Sequence, residues 1–143
     1  MSGFLLDTNV VSELRKGDRA DEHLRRWFTE NDASAFWLST LVVAELRRGV
    51  ELIDRRDAVA GSALRAWLDS IVEDFRDEIL PVTLAIGQRW ARLSVPDPLP
   101  VIDGLVAATA IEHDLTLVTR NVDDIARTGV SFVNPFTPPP SAP

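Results

Sequence analysis

Apolar and polar positions along this chain of 143 residues fall into short blocks, and the block lengths predict strands alternating with helices. Phe4-Leu5-Leu6 is an apolar run that stops abruptly at Asp7, as a buried strand does. Thr8 or Asn9 then caps a short helix through about Arg15, and Gly17 ends it. A second helix spans 21–31, with acids in its first turn and Leu24, Trp27 and Phe28 on one face. Residues 35–39 read as a second strand, after which Ser39 or Thr40 caps a helix over 41–53. Between 55 and 75, Val59, Leu64, Trp67, Leu68, Ile71, Val72 and Phe75 recur at the spacing of a long amphipathic helix. A brief strand at 79–82 precedes a helix over 83–94, with Leu84, Ile86, Trp90 and Leu93 as its apolar positions. The prolines of VPDPLP, 95–100, forbid regular structure there and predict an exposed connection. Asp103 opens a helix to about His113, 115–119 is a strand, 121–124 is polar loop or helix start, and 130–133 is a last strand. No internal repeat is visible.

This alternation predicts an α/β protein: three layers, α/β/α, around a short central parallel sheet. One domain occupies 1–136, and the proline-rich end, 137–143, reads as a disordered tail. In such sheets ligands bind beyond the carboxyl ends of the strands, where the strand order reverses.

Composition narrows the chemistry. The chain has no cysteine, which excludes disulfides, thiol catalysis and cysteine-based zinc sites and makes a reducing cytoplasm the simplest setting. No apolar run reaches membrane-spanning length, and the first residues lack the basic start of a signal peptide. The net charge of −7 gives little non-specific attraction to nucleic acid unless arginines gather on one face. It suits a bound cation or a basic protein partner. The two histidines, His23 and His113, have no serine partner in motif, and the glycines form no phosphate-cradling loop. The four tryptophans fall on apolar faces and read as core.

Acids remain. Asp7 ends the first strand, Glu45 sits inside the helix after the second, Asp103 starts a helix, and Asn121, Asp123 and Asp124 follow the strand 115–119. Each has a plainer reading. Asp7 and Asp103 are natural turn or cap residues, and Asp123 and Asp124 natural loop charges. Glu45 is more informative, because its neighbours at helical spacing, Leu41, Val42, Arg48 and Gly49, make it the border of an apolar stripe with room beside it. Carboxylates converging without a matching base repel and hold one another's protons. A hard divalent cation relieves that repulsion, and an all-oxygen donor set points to Mg²⁺ or Mn²⁺. Such a site is suited to phosphodiester hydrolysis.

At these residues the chain resembles the PIN-domain ribonucleases, in particular toxins of the VapC and FitB type. LLDTNVVSEL (5–14), STLVVAELRRGV (39–50) and IDGLVAATAIEHDLTLVTRN (102–121) are similar to the family's motifs in order and spacing, and FVNPF (132–136) is similar to the FitB-like ending. The resemblance covers nearly the whole chain and implies a Mg²⁺-dependent endoribonuclease toxin, with Mn²⁺ as a substitute. It implies a homodimer held inactive by a small DNA-binding antitoxin whose C-terminal segment lies across the acidic groove. By motif position Asp7 and Asp103 are the metal ligands, Glu45 completes the catalytic set and orients the attacking water, and Thr8 and Thr119 support the pocket. The family often has a fourth acid where this chain has Asn121; Asp124 is a substitute at a different offset. Arg15, Lys16, Arg47, Arg48 and Arg120 are expected to rim the site for RNA. Two other readings stay open: a PIN module with weakened catalysis that binds RNA or protein, and a metal-dependent DNA nuclease.

Overall fold

The structure, a computed structural model, describes residues 2–138. Five strands, β1 (Phe4–Leu6), β2 (Phe36–Ser39), β3 (Ile79–Leu80), β4 (Thr116–Val118) and β5 (Phe132–Val133), form one sheet in the order β3-β2-β1-β4-β5. Every pairing is parallel, with Leu5 opposite Trp37 on one side and Leu117 on the other. Helices α1 (Thr8–Leu14), α2 (Glu22–Glu30), α3 (Thr40–Asp54), α4 (Ala58–Asp74), α5 (Leu84–Leu93), α6 (Val101–Glu112) and α7 (Val122–Ile125) flank it. The layered α/β class expected from the alternation is the one observed.

Leu5, Leu6, Leu38, Leu117 and Val118 are fully or almost fully buried and join Val10, Val42 and Val106 of the covering helices. Burying each such side chain contributes roughly 1.5–3 kcal/mol. At the amino end of the sheet Phe4 meets Trp27 edge-on at 5.0 Å, and Phe28 stacks on Phe36 at 4.8 Å. Trp27, Trp37 and Trp67 pack against the core, as their apolar spacing predicted. That apolar end leaves the carboxyl end of the sheet for polar groups.

The chain fills β1, β2 and β3 outward on one side before crossing to β4 and β5 on the other. The order therefore reverses between β1 and β4, and the crevice beyond their carboxyl ends is the expected ligand position.

Several boundaries differ from the sequence reading. The cap of α1 is Asp7, whose side chain accepts the Thr8 N–H, so Thr8 and Asn9 lie within the helix. Residues 55–57 belong to no helix, since Asp57 caps α4 through the Ala60 N–H. Strand β3 stops at Leu80, because Pro81 follows with no N–H to give. Helix α6 starts at Val101, which makes Asp103 a first-turn residue and not the cap. In the proline-rich connection Leu99 is buried, pinning an otherwise exposed loop to the core. Of the expected tail, residues 139–143 lie outside the described residues; Thr137 donates its N–H to Asp21 at 3.0 Å.

Candidate active site

Asp7 leaves β1 with its N–H donated to the Val118 carbonyl at 3.0 Å, which locks it to the end of β4. Its carboxylate is buried, and both oxygens are held: Oδ1 accepts the Thr8 N–H at 2.8 Å, and Oδ2 accepts the Thr119 hydroxyl at 2.8 Å. Thr119 is itself fully buried. Its Oγ1 accepts the Asn9 side-chain N–H at 3.2 Å and the Asn121 backbone N–H at 3.0 Å, so its single proton is directed at Asp7. The plain reading of Asp7 as a cap is met, since Oδ1 caps α1 while Oδ2 is held by Thr119.

Glu45 reaches the same place from α3. The Thr8 hydroxyl donates to its Oε1 at 2.6 Å, joining α1 to α3 across the mouth of the sheet. Beside it, Gly49 faces open space, with nothing within 4 Å of where a Cβ would stand. Asp103 comes from the first turn of α6. The close seat of that turn against α5 depends on Gly104, because a Cβ there would lie 2.8 Å from Trp90 Cδ1.

The electrostatics are one-sided. Burial pushes the Asp7 carboxyl above the ordinary aspartate range; Thr119 and the Thr8 amide pull it back, and Glu45 adds to the rise. Asp103 is pushed up by burial first, and then by the charges of Asp7, Glu45 and Asp124. Among the described residues none of these four acids is in an ion pair. Asp103 thus feels three other carboxylates, and the surplus of negative charge is left unpaired among the described residues. Among the described residues no three acid or histidine side chains stand at ligating spacing around one point. Mg²⁺, which takes one or two protein carboxylates and keeps several waters, fits such a set; a dehydrated cage does not.

The expected residues are not all gathered here. Asp7, Glu45 and Asp103 converge. Asn121 contributes its backbone N–H to Thr119, and it is Asp124, one turn on in α7, whose charge acts on Asp103. Arg15 lines a groove of about 500 Å³ that opens at Thr8 and Glu45 and runs between α1, α3 and α4 to Arg56. Neither Asp7 nor Asp103 lines that groove. Arg48 is exposed one turn from Glu45. Arg120 lies over the Phe136 ring at 3.9 Å, with its backbone N–H on Asn9 Oδ1 at 3.1 Å. Lys16 pairs with Glu13 at 2.9 Å. Arg47 departs from expectation: it pairs with Asp69 of α4 at 2.8 Å, on another face of α3 from Glu45.

Asn9 is the residue the sequence reading left out of the site. Its amide spans the switch point, donating to Thr119 and accepting from Arg120, and so ties the start of α1 to the end of β4. The DTN triplet carried the signal, but Asn9 read there as a helix cap.

A parallel sheet with this order, and acids at its reversal point, define the class of α/β domain, and residues 4–130 match the PIN domain family. The chain belongs to that family. It is 31% identical over 139 residues to the toxin FitB of Neisseria gonorrhoeae, covering 93% of this chain and 98% of that one. It is 28% identical over 142 residues to the VapC ribonuclease Y4jK of Sinorhizobium fredii, covering 94% and 99%. Among solved structures, FitAcB from Neisseria gonorrhoeae matches with a TM-score of 0.83 at 31% identity, over 92% of this chain and 97% of that one. FitAB bound to an IR36 DNA fragment matches at 0.79 with 27% identity, over 97% and 99%.

Proposed function

We propose that this protein is a Mg²⁺-dependent endoribonuclease, the toxin of a toxin–antitoxin pair. The observation that carries the proposal is the gathering of Asp7, Glu45 and Asp103 near the β1–β4 switch point, Asp7 and Glu45 joined through Thr8 and Asp103 feeling the charge of both, with none of the three in an ion pair among the described residues. Family membership and the ribonuclease and toxin names of its relatives support it. Asp7 and Asp103 would hold Mg²⁺, with Mn²⁺ as a substitute. When bound, the cation supplies Lewis acidity toward water and the phosphoryl oxygens.

The chain's own residues do the positioning. Thr119, fixed by Asn9 and the Asn121 amide, holds the Asp7 carboxylate at one angle. Thr8 does the same for Glu45, leaving Glu45 Oε2 to accept a proton from the attacking water and orient it toward phosphorus. Asp124 adds the fourth negative charge that Asn121 does not carry.

The partner reading is an antitoxin, supported by the complexes named in the solved relatives, FitAcB and FitAB. We assign the protein as a homodimer, for which the exposed apolar residues Leu84, Val95 and Val101 on and between α5 and α6 provide surface. Among the described residues no helix is long and apolar enough to cross a membrane. Digestion of RNA and DNA side by side, with Mg²⁺ and with EDTA, tests the reading. RNA should be cut only with the metal, and equal cutting of DNA would replace the ribonuclease by a general nuclease.

A further inference from the structure

Five of the fourteen arginines of this acidic chain face an acid among the described residues. Arg26, Arg47, Arg65, Arg76 and Arg89 each sit in an ion pair. Arg15 and Arg19 have none among the described residues, and with Lys16 they line a concavity of about 440 Å³ at the carboxyl end of α1. Arg120 belongs to the same corner, since its charge, behind the hydrogen bond from Lys16, helps hold the Glu13 carboxyl low. The acids there are few and occupied. Glu13 accepts from Lys16 and from the Asp21 N–H, Asp21 accepts from Leu24 and Thr137, and Asp18 lines the adjoining concavity toward α2. Cations outnumber acids at this corner, in a protein whose net charge is −7.

The corner is continuous with the acidic site. Arg15 lines both this concavity and the groove that opens at Thr8 and Glu45. A polyanion with one phosphate at the acids meets Arg15 on leaving them, then Lys16 and Arg19. Lys16 alone would serve the carbonyl end of α1; two further guanidiniums around a polar hollow match successive phosphates, whose oxygens take arginine bidentately.

We propose that Arg15, Lys16 and Arg19 form a phosphate track that holds the RNA strand to one side of the bond to be cut, with Arg19 as its outer anchor. The inference rests on the ribonuclease reading and supplies what the net charge withholds, a local attraction for the substrate.

The test uses a labelled single-stranded RNA oligonucleotide of mixed sequence, bound in EDTA so that it stays whole, across a salt series. Arg19→Glu should weaken binding about tenfold at low salt and reduce the slope of log K against log salt by about 0.7 for each phosphate no longer neutralised. Arg19→Ala should change both in the same direction by less. Arg76→Glu, an equal charge change at an exposed pair on the end of α4, should leave both unchanged. Equal losses in Arg19→Glu and Arg76→Glu would reduce the effect to net charge and overturn the track. Cleavage with Mg²⁺ is followed in parallel. Wild-type cutting with an unchanged KM in Arg19→Glu would overturn the track and leave the ribonuclease standing. Wild type that neither binds nor cuts RNA would remove the ribonuclease reading, and the track with it.

Discussion

Burial at the end of β1 raises the free energy of the Asp7 carboxylate, and Thr119 with the Thr8 amide offsets part of that cost. Thr119→Val keeps the shape but leaves Asp7 Oδ2, Asn9 Nδ2 and the Asn121 amide without a partner. It should lower stability by about 1–3 kcal/mol in denaturant melts, and cleavage should fall about 10–100-fold, the usual effect of losing a group that orients a metal ligand. Thr119→Ser should recover most of both. Asn9→Ala should give a similar loss of cleavage, since it frees the Thr119 hydroxyl to turn; unchanged activity would leave Asn9 only a structural tie between α1 and the end of β4.

Acidity gives a second prediction at this scale. The Asp7 and Asp103 carboxyls both titrate above the ordinary aspartate range when folded, so the native state binds more protons than the unfolded chain. Their contribution to stability is therefore complete below the ordinary range and is lost as pH rises through the raised values. Thermal melts of metal-free protein should show Tm falling with pH on their account, and Asp103→Asn should flatten that fall. Mg²⁺ added at neutral pH should restore Tm in wild type, and its binding should weaken on acidification as protons compete.

At the scale of elements, Asp103 is delivered by the seat of α6 on α5. Gly104→Ala would drive a methyl into Trp90 at 2.8 Å, and should cost about 1–3 kcal/mol by overpacking. Gly49→Ala on α3 meets open space and should be tolerated by the fold. These two glycines look alike in sequence and differ only in what faces them. The apolar blocks made the strands and most helices legible, because period and length follow from local burial. Caps were less legible: Asp7, Thr8 and Asn9 all suit the role, and Glu45, 37 residues from Thr8, settles which are needed elsewhere. Arg47 could have been excluded from the site by helical geometry alone, since two positions place it about 200° around α3 from Glu45. Asp124 was readable as a substitute for Asn121, and its place in the single turn of α7 is where its charge acts on Asp103.

For the whole molecule, charge and assembly matter most. An overall charge of −7 opposes RNA binding at long range, so activity should depend on the basic corner of α1 and decline steeply with salt. The proposed homodimer predicts a species of twice 15.8 kDa in sedimentation, reduced to 15.8 kDa by Leu84→Glu if the exposed side of α5 is the interface. A wild-type monomer would remove that assignment without touching the acidic site.

Joint action of Asp7 and Asp103 on RNA, through a divalent cation, is the centre of the proposed mechanism. It is tested most directly by cleavage of total cellular RNA by wild type and Asp103→Asn, each with Mg²⁺ and with EDTA. Wild type with Mg²⁺ should give discrete cuts, and the other three reactions only background. Cutting by wild type in EDTA, or full activity of Asp103→Asn with Mg²⁺, would contradict that mechanism.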